Sequence, residues 1–184
     1  MADIKNVSAA KPKVGGAIHI GTKKSSLPKD ALSELTGFTS LGYISEDGLT
    51  NENEMDTETI KAWGGDTVLA LNKGSEDKFT FTLIESLNIE VLKYVFGSSN
   101  VEGTIETGIT IKSNSKSKDD LPIVIDMIMK DNILRRIVIP SGSILETGEI
   151  TYKDDEVIGY EITVLAKPDS EENSHYEYVK RKEL

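Results

Sequence analysis

The chain has 184 residues, and 21 Lys and Arg against 31 Asp and Glu give it a formal net charge of −10. It contains no cysteine, which excludes disulfides, thiolate metal sites and cysteine nucleophiles. Because phosphate binding depends on clustered cations, this acidic balance argues against sequence-specific nucleic-acid binding. No stretch approaches the roughly 20 apolar residues of a membrane-spanning helix, so we expect no membrane contact and synthesis in the cytoplasm.

The length favours one domain with arms or loops. Residues 1–16 are small and polar without sustained periodicity, which predicts an N-terminal arm. Residues 17–166 carry the strand and helix patterns and form the predicted domain. Residues 167–184 begin with Lys167-Pro168 and are predicted to be a polar C-terminal tail.

An acidic run follows a short predicted strand at residues 38–44. Residues 45–59 contain six acids and no base: Glu46, Asp47, Glu52, Glu54, Asp56 and Glu58. Such a run repels itself and cannot bury a face, so we expect a solvated, mobile loop over about residues 45–66 that becomes ordered on meeting a partner.

The acidic run leads to Lys61 and to Trp63, the only tryptophan. Two roles remain open for Trp63: a core residue that shields the second sheet, or an interface anchor, because tryptophan concentrates binding energy. The candidate assembly residues are therefore the six acids, Lys61 and Trp63.

The remaining sequence favours β structure with one helix. Strands are predicted at residues 17–20, 67–71, 79–83, 105–111, 123–129, 133–139, 144–152 and 157–166, with turns at 72–75 and 141–143. The helix, at about residues 87–96, has Leu87, Val91 and Val95 on one face, Ser86 or Asn88 as N-cap, and Gly97 after its end. The predicted fold is mainly β (α+β): a two-sheet sandwich or barrel with one flanking helix.

The sequence offers no arrangement of residues with catalytic, cofactor-binding or metal-binding roles, and we expect no enzyme. The two histidines, His19 and His175, lie far apart along the chain, and nothing in their spacing indicates a metal or catalytic pair. Asn51-Glu52-Asn53-Glu54 alternates oxygen ligands but lacks the glycine and the terminal glutamate of an EF-hand loop.

The order of these elements resembles the major tail tube protein of long, non-contractile (siphovirus-type) bacteriophage tails, of the kind found in phages and prophages of Gram-positive bacteria. The resemblance runs from about residue 13 to 166. The segments that carry it are residues 38–44, Gly48-Leu49-Thr50, Ile60-Lys61-Ala62-Trp63-Gly64-Gly65-Asp66, Phe79-Thr80-Phe81-Thr82-Leu83-Ile84-Glu85 and the helix closed by Gly97.

This resemblance implies a structural role in the virion tail without a cofactor. Such proteins form rings of six that stack into a tube, and a long loop and the terminal arm reach neighbouring subunits. The implied partners are further copies of the chain, the tape-measure protein in the lumen, and the tail terminator and baseplate or distal tail proteins. DNA passes through without specific binding, and acids that face the lumen would repel its phosphates.

Two other functions remain open from the sequence. The chain could be the tube protein of a contractile or phage-derived injection apparatus, which would require a sheath partner. It could also be a carbohydrate-binding, adhesin-like β-sandwich module, which would require a groove of exposed aromatic residues. Its 1 Trp, 6 Tyr and 4 Phe are dispersed along the chain.

Overall fold

The computed structural model describes residues 2–13 and 15–182. Within these residues the chain forms eleven strands, one α-helix and three short 3-10 helices. The strands are β1 (Ala10–Pro12), β2 (Ile18–Gly21), β3 (Phe38–Ser40), β4 (Ile44–Lys61), β5 (Thr67–Leu83), β6 (Val101–Glu102), β7 (Thr110–Ile111), β8 (Leu121–Met129), β9 (Ile133–Thr147), β10 (Tyr160–Lys167) and β11 (Tyr176–Arg181). The helix is α1 (Ile89–Phe96), and the 3-10 helices are Ile4–Asn6, Ser98–Asn100 and Lys130–Asn132.

The strands form two antiparallel sheets. Nine strands make the large sheet in the order β3-β2-β8-β9-β10-β5-β4, with β1 beside β8 and β11 beside β9; β6 and β7 form a separate pair. A mainly β fold with one helix and two sheets confirms the predicted fold class and is consistent with a β-sandwich-like architecture.

One side of the large sheet and the helix enclose the main core. Phe79 and Phe81 on β5 lie directly opposite Val164 and Ile162 on β10, and all four are buried. The alternation of residues 79–83 predicted this arrangement, because alternate side chains of a strand share one face.

The opposite face of β8 and β9 is also covered. Here Arg136 lies opposite Asp126, and its guanidinium donates to both carboxylate oxygens at 2.6 and 2.9 Å. Its remaining nitrogen donates to the carbonyl oxygens of Asp30 and Ser33 at 3.1 and 2.8 Å. A buried arginine thus holds the loop around residues 30–33 against the sheet.

The helix begins and ends as its flanking residues predict. The Asn88 side chain accepts a hydrogen bond from the backbone N–H of Glu90 at 3.0 Å, and Gly97 follows the last turn with φ 96°. Val91 and Val95 are buried, but Leu87 precedes the helix and is 70% exposed, so it does not belong to the packed face.

Several predictions about turns and strands were wrong. The turn predicted at residues 72–75 is part of β5. Residues 105–107 form a turn in which Thr104 and Thr107 exchange hydrogen bonds, and only Thr110–Ile111 is a strand. The turn predicted at residues 141–143 does not form, because β9 continues through these residues. Gly142 is needed there for close packing, since a Cβ would lie 2.6 Å from Cδ1 of Ile123.

Both terminal segments contribute to the large sheet. Ala10–Pro12, in the predicted N-terminal arm, pairs with β8. Tyr176–Arg181, in the predicted polar tail, pairs with residues 133–138 of β9. The tail therefore contains a strand that the sequence analysis did not predict. Residues 1, 14, 183 and 184 lie outside the described residues.

Candidate assembly surface

The acidic run is not a loop. It lies in β4, which pairs with β5 to form one long hairpin. Strand β10, on the other side of β5, ends its pairing at Lys78, so the hairpin continues beyond the sheet as a two-stranded ribbon. Every residue from 50 to 76 is exposed, and we name residues 50–76 the hairpin arm. At about 3.3 Å per residue, the eleven steps along the chain from Glu52 to Trp63 extend about 35 Å.

The acids of this segment share one face of the ribbon. Acids occupy every second position from Glu52 to Glu58, so their side chains point to one face of the ribbon. Glu76 joins them, because it lies directly opposite Glu54 on β5. These five residues define the carboxylate face: Glu52, Glu54, Asp56, Glu58 and Glu76.

Two lysines partly neutralise the carboxylate face. Lys78 lies 2.8 Å from Glu76 and 3.4 Å from Glu54, and Lys73 lies 2.7 Å from Glu58. The hydrogen bond to Glu76 is the largest of the effects that raise the pKa of Lys78 above its ordinary value. Five carboxylates against two ammonium groups leave 2 − 5 = −3 on this face.

On the other face of the ribbon, β4 carries no charged side chain over the same stretch. Asn51 and Asn53 point away from Glu52 and Glu54, because neighbouring residues of a strand face opposite sides. The oxygen ligands considered for calcium are therefore divided between two faces. Among the described residues, no group of three or more His, Asp and Glu side chains is placed to hold a metal ion.

Glu46 and Asp47 do not belong to the carboxylate face. They lie at an irregularity in β4, where the pairing with β5 shifts between Ile44 and Leu49. The Ser45 hydroxyl donates to the Asp47 carboxylate at 2.9 Å. The structure thus brings together four of the six predicted acids and separates the other two from them.

Trp63 lies at the tip of the arm. A tight turn joins the strands there, closed by hydrogen bonds from Ala62 to Asp66 and from Gly65 to Ala62. Gly64 and Gly65 have positive φ values of 119° and 100°, which favour glycine. The Trp63 side chain is fully exposed, so it contributes nothing to the core of its own chain. Lys61 is exposed beside it at the end of β4.

The outer third of the arm is apolar as well as exposed. Ile60 and Leu69 lie directly opposite one another, and both are exposed. The nearby side chains of Val68 and Leu71 are exposed too. With Trp63 these residues form the apolar end of the arm. Exposed apolar patches of this kind are typical of surfaces that contact a partner.

A polar cluster fixes the root of the arm. Asp77 is buried, and its carboxylate accepts a hydrogen bond from Asn51 at 2.7 Å. Nδ1 of His175 contacts the other carboxylate oxygen, and the His175 ring meets Phe79 edge-on at 5.2 Å. The segment before β11 is therefore joined to the base of the arm. The sequence did not predict this cluster, because Asp77 and His175 lie 98 positions apart.

The two histidines lie in different places. His175 lies at the root of the arm, whereas His19 lies on β2, near Asp126, Lys13 and Arg136. The two histidines therefore have different neighbours and do not form a pair. No helix among residues 2–13 and 15–182 is long and apolar enough to cross a membrane.

Comparison with known proteins assigns nearly the whole chain to one family. The family model described as phage tail tube protein matches residues 8–182. No curated protein sequence matches the chain. The family match extends beyond residues 13–166, on which the resemblance was based, and includes both terminal strands.

Proposed function

Because the chain belongs to the phage tail tube protein family, we propose that it forms stacked, hexameric rings that build the tube of a long, non-contractile tail. Membership implies a structural role in a virion tail. The Gram-positive phage or prophage type, the ring of six and the delivery of DNA through the tube are the finer parts of the proposal.

The hairpin arm is the observation that best supports assembly. A two-stranded ribbon alone is marginally stable in water, and this one exposes both faces together with an apolar end. Contact with a neighbouring copy would bury the apolar end and make the ribbon part of a larger packed surface. The arm therefore connects copies of the chain.

The large sheet also supports a ring. Its order ends at β3 on one side and at β4 on the other, and strands at the ends of a sheet present unpaired backbone groups. A head-to-tail contact that uses two different surfaces generates a closed ring when the rotation closes. Six copies joined in this way would form one turn of the tube.

The carboxylate face provides a surface for the lumen. We place Glu52, Glu54, Asp56, Glu58 and Glu76 toward the channel, where their charge would repel DNA phosphates and keep the genome from adhering. DNA would thus pass without specific binding. The tape-measure protein would occupy the same lumen during assembly.

The remaining contacts lie at the ends of the tube and between its rings. The tail terminator would cap one end, and baseplate or distal tail proteins would join the other. Residues 1–16 and 167–184 would extend the ring-to-ring contacts. Glu46 and Asp47, near the root of the arm, would take part in the same contacts. The protein would be made in the cytoplasm of the bacterial host and then incorporated into the virion.

Shortening the arm tests this function. Residues 54–76 are replaced by Asn-Gly, which favours a two-residue hairpin turn and here joins the directly opposed Asn53 and Asp77. We expect the variant to fold, since the main core lies outside the arm, but to remain monomeric in light scattering at concentrations where the full chain assembles. Assembly of the shortened chain into normal tubes would contradict the proposed role of the arm.

A further inference from the structure

A cavity of about 420 Å³ opens beside the C-terminal end of α1. Its apolar wall includes Ile20, Leu121 and Ile144, which pack against the main core but are only half-buried. The chain therefore leaves part of its core accessible at this point. A cavity of this size falls in the range that holds an organic group.

Tyr94 forms part of the wall of the cavity. Tyr94 is only 6% exposed, and its hydroxyl is buried with no hydrogen-bond partner among the described residues. Burial raises the pKa of this hydroxyl, so it remains neutral and can donate or accept a hydrogen bond. Because an unpaired buried polar group is unfavourable, a ligand that reaches this hydroxyl and pairs with it is favoured.

The rim of the cavity is basic, although the chain is acidic. Four lysines line it, with Glu90 and Asp119 as the acids, which gives 4 − 2 = +2 in a chain of net charge −10. The lysines are Lys23, Lys93, Lys116 and Lys118. Burial lowers the pKa of Lys118, whose ammonium group lies 3.3 Å from the Thr147 hydroxyl. An acidic partner is favoured at this rim.

We propose that this cavity receives Trp63 from the hairpin arm of a second copy. The indole is the largest exposed apolar group of the chain, and its N–H donor can pair with the Tyr94 hydroxyl oxygen. The lysine ammonium groups can also contact the face of the indole ring. This inference rests on the proposed function and identifies the surface that receives the arm.

Charge and length fit this occupant. Asp66 is the one acid of the arm that is not part of the carboxylate face, and it lies in the turn that holds Trp63, where it can meet the lysines of the rim. Trp63 of the same copy is fully exposed and does not fill the cavity. An arm of about 35 Å exceeds the radius of gyration of about 15 Å expected for a body of 150 residues. It can therefore reach onto the surface of a neighbouring copy.

Crosslinking tests this placement directly, because the chain contains no cysteine. Ala62→Cys, next to the retained Trp63, is combined with Ser98→Cys, or with Ser117→Cys, on the rim of the cavity, and assembled protein is treated with a short bismaleimide. We expect links between copies for the rim pairs. The matched control combines Ala62→Cys with Ser170→Cys, an exposed position that does not line the cavity, and should give no links.

A competing occupant is tested in the same way. Ser8→Cys, in the N-terminal arm, is paired with each of the two rim cysteines. Links from position 8 in place of position 62 would overturn the proposal, because the cavity would then hold the N-terminal segment.

Fluorescence of the single tryptophan provides a second readout on the unmodified chain. On assembly we expect its emission to shift to shorter wavelength and its quenching by acrylamide to fall several-fold. Tubes whose tryptophan remains freely quenched would contradict the docking but not the tube function. A chain that does not assemble at all would contradict the tube function itself, and the docking with it.

Discussion

At the scale of single residues, the buried pair of Arg136 and Asp126 connects the sheet to the loop that covers it. The two side chains are 1% and 5% exposed. Burial alone would raise the pKa of the Asp126 carboxyl, but hydrogen bonds and charges from Arg136 and Lys13 outweigh it and hold the pKa below its ordinary value. The carboxylate is therefore ionised, and it depends on its two partners.

Replacing the arginine should be costly. Arg136→Met leaves Asp126 with Lys13 alone and removes the hydrogen bonds to the carbonyl oxygens of residues 30 and 33. We expect a loss of about 3–5 kcal/mol in the free energy of unfolding, measured by urea denaturation, because breaking a buried ion pair leaves an unpaired charge.

Arg135→Met is the matched control for that experiment. Arg135 is the next residue along β9, but its side chain is 37% exposed and pairs with Glu177. Exposed pairs contribute about 0–1 kcal/mol. Equal losses for the two variants would show that the buried pair has no special role.

His19 gives the stability a dependence on pH. Burial is the largest effect and lowers the pKa of the imidazole; Lys13 and Arg136 lower it further, while Asp126 acts in the opposite direction. The unfolded chain therefore binds a proton more readily than the folded one. The contribution of His19 to the free energy of unfolding is largest above pH 6.5 and falls as the pH decreases through that value.

The variant His19→Gln isolates this contribution. Free energies of unfolding are measured between pH 5 and 8 for both chains, and the variant's values are subtracted from those of the unmodified chain. We expect the difference to decrease toward low pH. A difference that is constant or increases toward low pH would contradict the account of His19.

At the scale of elements, local signals were sufficient for the helix but not for the arm. Asn88 and Gly97 specify both helix ends within ten residues of sequence. The arm has no buried face, so the hydrophobic pattern that identifies most strands is missing. Its signal was the strict alternation of acids with Asn, Met and Thr from Glu52 to Thr59. We interpreted the charge as disorder, because the pairing with β5 is not visible in the run itself.

Strand β11 escaped detection for a related reason. Tyr176 and Tyr178 alternate with Glu177 and Val179, but the segment is short and lies among polar residues. Its partner on β9 is more than 30 positions away. The candidate site was predicted in part. The sequence identified Trp63 and the acids, but the register between β4 and β5 was needed to show that four of those acids share one face with Glu76.

The carboxylate face makes a prediction about DNA. Changing Glu52, Glu54 and Asp56 to lysine alters the net charge by +6 and would give the lumen cationic groups. Tubes of this variant should retain short DNA duplexes in a form that resists nuclease at low salt. The unmodified tubes should retain none.

The control for this experiment has the same change in charge. Asp154, Asp155 and Glu171, which are exposed and lie outside the arm, are changed to lysine. DNA bound to these tubes should remain sensitive to nuclease. Nuclease-resistant DNA in both variants, or in neither, would contradict the placement of the carboxylate face in the lumen.

At the scale of the whole molecule, the chain separates stability from assembly. The core, the buried Arg136 pair and the capped helix form the body, whereas the hairpin arm extends from it with exposed apolar and acidic groups. Changes in the body should alter the free energy of unfolding, and changes in the arm should alter association. This division is what a subunit needs if it must fold before it joins a tube.

Electron microscopy of the purified full chain at high concentration tests the central claim most directly. We predict rings of six subunits and hollow tubes made of stacked rings, with the arm-shortened chain remaining as single particles in the same buffer. If the full chain remains as single particles at every concentration, even when tail initiation proteins are added, the proposal that it builds a tube is wrong.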